Sequence, residues 1–62
     1  MEQPRIERML RLMKLMSGNT NYTIGELAKK LGITYRSVYR YIDTFENSGF
    51  VVDKVRKNVY KL

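Results

Sequence analysis

The feature that most constrains this chain is a pair of helix starts separated by a single glycine stop. Thr23-Ile24-Gly25-Glu26 has the form of a capping box, in which the Thr23 hydroxyl accepts from the Glu26 amide and the Glu26 carboxylate answers back. Tyr22 and Leu27 occupy the two staple positions on either side. Leu27, Ala28 and Leu31 then form an inward stripe, and the spacing predicts a short second helix over about 24–31. Gly25 is a poor helix former, but its cost is small in a first turn. Gly32 ends the helix where a left-handed backbone is needed. Thr34 caps the next helix almost at once, with Ile33 and Val38 in the same staple relation. Val38, Ile42 and Phe45 have core spacing, and Asn47-Ser48-Gly49 closes a third helix of about 35–48. Two capped helices on so short a turn must cross closely. Ala28 is small at that crossing, and Leu27, Leu31, Ile33, Val38 and Ile42 fill the space between.

The flanks complete one arrangement. From Pro4 to Ser17 apolar residues recur at helical spacing, with Ile6, Met9, Leu10, Met13 and Met16 on one stripe. Gly18 and Asn19-Thr20-Asn21 end this first helix, about 4–17. Leu12 and Leu15 fall outside the stripe and widen the apolar face. Either the helix is buried on two sides within its own domain, or that face meets a second copy or a further domain. A core this small is not expected to cover the whole arc, so we expect a homodimer through helix one, with Leu12 and Leu15 at the interface. After the third helix, Phe50-Val51-Val52 and Val59-Tyr60-Lys61-Leu62 read as two short strands of a wing over about 50–62. The polar tip around Arg56-Lys57-Asn58 suits the turn, and Tyr22-Thr23 adds a third, very short strand. The fold class expected is therefore mostly α with a small β-hairpin, a winged helix-turn-helix with a three-helix core, forming one domain over 1–62.

Composition removes whole classes of function. The chain has 62 residues with no cysteine and no histidine. Disulfides, thiolate or imidazole metal sites, and catalysis built on His or Cys are thereby excluded. Glu7, Glu26, Asp43, Glu46 and Asp53 form no acid pair at a useful spacing, so no enzyme activity, cofactor or metal is expected. No apolar run approaches the length of a membrane span, so no membrane partner is expected. Cysteine-free composition fits a reducing cytoplasm. Twelve Lys and Arg against six Asp and Glu give +6, an excess that favours a polyanionic partner.

The stretch TIGELAKKLGITYRSVYRYID, from Thr23 to Asp43, resembles the DNA-binding domain of bacterial DeoR-type and WYL-domain transcriptional regulators. It is also similar to the N-terminal domain of biotin-ligase repressors. The likeness runs from about Arg5 to Leu62, with helix one and the wing in the same order. Tyr41 stands where WYL-type sequences often carry an acid. The resemblance implies sequence-specific binding of double-stranded DNA by a transcriptional regulator, with an effector domain beyond the wing. The alternative, from another class, is a protein-interaction module using the apolar face of helix one. A third is RNA binding through the same basic surface.

The chemistry of the third helix points the same way independently. With Val38 and Ile42 inward, Arg36, Arg40, Asp43 and Thr44 point outward, with Ser37 and Tyr39 at the margins. Arginine pairs in a bidentate way with guanine edges, and Ser and Tyr donate to phosphate. Arg36 lies in a first turn, where the macrodipole disfavours a cation unless an anion arrives there. The candidate DNA contacts are therefore Thr34, Tyr35, Arg36, Ser37, Tyr39 and Arg40, joined by Arg56 and Lys57 at the wing tip. No acid occurs between Leu27 and Ile42, or after Asp53, where Lys54, Arg56, Lys57 and Lys61 cluster. Lys29 and Lys30 on helix two are weaker candidates, with ordinary surface as the alternative. Arg5, Arg8, Arg11 and Lys14 are interspersed with Glu2 and Glu7 and read mostly as solvated. Tyr22, Tyr41 and Tyr60 read as packing residues.

Overall fold

In a computed structural model describing residues 4–62, the chain runs α1 (Arg5–Ser17), α2 (Ile24–Leu31), α3 (Tyr35–Asn47), β1 (Asp53–Arg56) and β2 (Val59–Lys61). Glu2, expected to offset the arginines of the first helix, lies outside the described residues. Three helices with an antiparallel hairpin behind them make a winged helix-turn-helix.

Both helix starts have the local chemistry that their residues require. The Glu26 amide donates to Thr23 Oγ1 at 3.1 Å, and the Thr23 amide donates to Glu26 Oε1 at 2.9 Å. The Ser37 amide donates to Thr34 Oγ1 at 3.1 Å. Gly32 is left-handed at φ 67°, and the Ile33 amide returns to the Ala28 carbonyl at 3.0 Å, closing α2 and turning the chain toward α3. The core lies where the three helices meet: Leu12 and Met16 from α1, Ile24, Leu27, Ala28 and Leu31 from α2, and Val38, Ile42 and Phe45 from α3. Every buried residue among those described is apolar.

α1 is rotated relative to the expected stripe. Leu12 is completely inaccessible, whereas Ile6 and Leu10 are 64% and 56% exposed. The line facing the core is Leu12 and Met16, flanked by Met9, Met13 and Leu15. Apolar residues surround so much of this helix that periodicity admits several inward faces; the face that the core takes is the one carrying Leu12 and Met16. This overturns Leu12 as a dimer contact, because its side chain is enclosed within its own chain. Leu15 is half-buried against the same core, in a concavity it shares with Arg11, Lys14 and Lys30. A two-fold contact there would set like charges face to face.

The hairpin is also displaced from the apolar run expected to begin it. Phe50-Val51-Val52 is not a strand; β1 is the more polar Asp53–Arg56. The turn decides the register. Asn58 adopts φ 65°, so Lys57-Asn58 forms the tip and Arg56 pairs with Val59. Pairing then runs back through Lys54↔Tyr60 to Asp53↔Lys61, with a bulge at Val55. Phe50 instead packs edge-on against Phe45, with ring centroids 6.2 Å apart. The third strand shrinks to one bridge, Thr23↔Val59, beside which the Ile24 amide donates to the Asn58 carbonyl at 2.8 Å. These contacts fasten the wing to the start of α2.

Truncating Leu12 to Ala should destabilise the domain by about 2–5 kcal/mol, whereas Leu10→Ala should stay within about 0.5 kcal/mol of wild type. Urea denaturation of the two variants measures this. Equal losses would mean that α1 is rotated otherwise.

Candidate nucleic-acid interface

With Val38, Ile42 and Phe45 inward, α3 presents Arg36, Arg40, Asp43 and Asn47 to solvent. The N-terminal half of that face is cationic, because no acid occupies the first turn of α3. Thr34 serves the cap, donating its own hydroxyl to Ser37 Oγ at 3.1 Å as it accepts the Ser37 amide. Ser37 thus has one Oγ lone pair engaged and its hydroxyl proton left to donate.

The two flanks of α3 differ. On one flank Tyr35 leans across the first turn of α2: a Cβ at Gly25 would lie 2.7 Å from the Tyr35 hydroxyl. Gly25 therefore leaves room for this ring, a role its helix propensity does not reveal. Tyr39 meets Tyr60 of β2 edge-on at 5.9 Å, which ties α3 to the wing. Tyr39 remains 37% exposed and Tyr35 63%, so both keep surface at the outward face. Tyr22, by contrast, lies under the Lys30 ammonium, 5.2 Å from the ring centroid.

On the other flank, Ser37, Arg40, Tyr41 and Thr44 face the N-terminal half of α1. The rotation of α1 that buries Leu12 also turns Arg5 and Arg8 toward α3, two turns and one turn before Leu12 on the same side. Arg5, Arg8 and Arg40 line one concavity with Ser37; Arg5 is exposed, as read from the sequence, whereas Arg8 is half-buried. The sequence holds a signal for this: Arg5, Arg8, Leu12 and Met16 follow one another at helical spacing on one line.

At the wing, Lys54, Arg56 and Lys57 are exposed. Lys61 separates from that group, donating to the Gly18 carbonyl and, at 3.3 Å, to the Thr20 carbonyl. It pins the wing to the end of α1 instead of facing a ligand, assisted by the Leu62 amide on the Met16 carbonyl at 3.3 Å. Arg56 and Lys57 therefore stand at the free tip. Among the described residues no group of acids is arranged to hold a metal ion, and no helix is long and apolar enough to cross a membrane.

A close-crossing pair of capped helices, a cationic outer face on the second of them and a basic hairpin beside it define a helix-turn-helix domain of the DNA-binding class. The chain belongs to the HTH domain family, whose model matches residues 5–61. This is a family of DNA-binding domains, not of enzymes. No curated protein and no solved structure shows significant similarity to the chain.

The left-handed Asn58 sets where Arg56 and Lys57 are held, and it is open to a direct check. Asn58→Val should cost about 1–2 kcal/mol, the penalty for a side chain forced into that region, while Asn58→Gly should be nearly neutral. Thermal denaturation resolves the two; a tolerated valine would show that the turn does not depend on this backbone conformation.

Proposed function

We propose that this domain reads double-stranded DNA in a sequence-specific way, as the DNA-binding part of a transcriptional regulator of the DeoR, WYL or biotin-ligase-repressor kind acting in the cytoplasm. In this reading α3 enters the major groove, Arg36 and Arg40 take guanine edges or clamp the adjoining phosphates, and Ser37 donates to a phosphate. Thr34 holds the start of that helix, and Tyr35 and Tyr39 supply aromatic edges beside it. Arg56 and Lys57 reach the flanking backbone or the adjacent minor groove. The observation that carries the reading is the outward face of α3, where two arginines stand exposed in a helix whose register is held by its capped start and buried stripe.

A second reading, protein interaction, has its own observation. Ile6 and Leu10 on α1 are both more than half exposed and apolar. It has moved from the face first expected, since Leu12 is no longer available to it.

Selection of bound sequences from random duplexes, followed by titration of variants, separates the readings. Arg36→Ala or Arg40→Ala should weaken binding to the recovered site by about 1–3 kcal/mol for each bidentate arginine–base pairing removed, with little change in thermal stability. Failure to recover any motif, or unchanged affinity in both variants, would favour protein interaction. Neutralising Arg56 and Lys57 together should weaken all duplexes alike and flatten the salt dependence by about one log unit per phosphate neutralised. A changed sequence preference with an unchanged salt slope would mean that the wing reads bases.

A further inference from the structure

Between the N-terminal half of α1 and α3 lies a concavity of about 130 Å³ lined by Arg5, Arg8, Ser37, Arg40 and Tyr41. A second concavity shares Arg5, Arg40 and Tyr41 with it and adds Met9 and Thr44. Three of the first concavity's lining side chains are guanidiniums, and no acid lines it among the described residues. Arg8 is half-buried, and its Nε is enclosed with no hydrogen-bond partner among the described residues. An enclosed guanidinium nitrogen without an acceptor costs stability, and two further cations beside it add repulsion. Ser37, already accepting from Thr34, has a hydroxyl proton left to give. Every polar group that faces the notch can act as a donor. Such a cluster is complementary to one kind of ligand, an oxyanion with several acceptor lone pairs, and guanidiniums match phosphate in particular.

The position of the notch identifies the source of that phosphate. α3 meets the hairpin through Tyr39, which packs on Tyr60, and has the notch on its Ser37 and Arg40 side. A helix lying in the major groove has one sugar-phosphate strand on each side of it. The wing tip meets one strand, and the notch is set to meet the other.

We propose that Arg5, Arg8, Arg40 and Ser37 form a clamp for a single backbone phosphodiester, on the DNA strand that flanks α3 opposite the hairpin. This rests on the reading in which α3 enters the groove. The clamp carries no sequence information; it fixes how far α3 enters and at what angle, so that Arg36 meets base edges. The cost of gathering three cations in the free domain is released when the phosphate arrives.

The test uses the same chain and a duplex carrying the selected site. Arg8→Met keeps an aliphatic stem at this half-buried position but removes the donor, and Arg5→Gln removes the charge of the exposed partner. Each should bind roughly tenfold more weakly at low salt, lower the salt slope by about one log unit, and leave the order of sequence preference unchanged. Arg8→Met should also leave the melting temperature of the free domain unchanged or raised. A scan of single methylphosphonates through the duplex should find one position where removing the charge weakens wild type but not Arg8→Met.

Unchanged affinity and slope in both variants would overturn the clamp. So would a melting temperature that falls together with affinity in Arg8→Met while Arg5→Gln is unaffected, since that marks a packing role. Inorganic phosphate that raises the wild-type melting temperature over chloride at equal ionic strength, without any methylphosphonate position of this kind, would show a small-anion site and also overturn it. The parent reading is tested separately by Arg36→Ala. If that variant keeps its affinity while the Arg5 and Arg8 variants lose theirs, the groove reading fails and the anion site stands.

Discussion

Leu12 and Val38 have no accessible surface, and their burial in one shared core fixes the rotation of both α1 and α3. What these helices show to solvent follows from that. With Val38 inward, Arg36 and Arg40 must point out; with Leu12 inward, Arg5 and Arg8 must overhang the flank of α3. The full burial of one such leucine contributes about 1.5–3 kcal/mol, a large share of the net stability of so small a domain. The hydrophobic contact and the cationic surface are therefore two consequences of one packing decision.

The short connections transmit that decision. The Thr23 and Thr34 caps and the left-handed Gly32 hold α2 and α3 at a close crossing. Tyr39 on Tyr60, the Thr23↔Val59 bridge and Lys61 on the α1 end then hold the wing to the helices. A domain with no disulfide, no metal-binding cluster among its described residues and few residues to bury has to rely on many such local agreements. They also fix the hairpin that carries Arg56 and Lys57 against the Tyr39 flank of α3.

The helices are legible in the sequence because their punctuation is chemical and local. Thr23, Glu26, Gly32 and Thr34 each act through atoms a few residues away, and α2 ends where its glycine says it does. Where the sequence misleads, the deciding interaction is distant or geometric. Helix one carries apolar residues around most of its girth, so only the shape of the space left by the other helices selects Leu12 over Leu10. That same rotation conceals the approach of Arg5 and Arg8 to Arg40. In the hairpin, the apolar Phe50-Val51-Val52 outweighs the polar strand by composition, yet the left-handed Asn58 dictates pairing from Arg56 backward. Gly25 shows only its helix propensity in the sequence, because the Tyr35 ring that crosses it arrives from another helix.

The central claim is that the outward face of α3 meets the groove, and a titration followed by backbone amide NMR tests it most directly. Addition of the selected duplex should move the amides of residues 35–40 most, with smaller changes at Arg56-Lys57-Asn58 and at the start of α1. Shifts concentrated around Ile6 and Leu10, with α3 unmoved, would contradict it and transfer the binding surface to the outer side of the first helix.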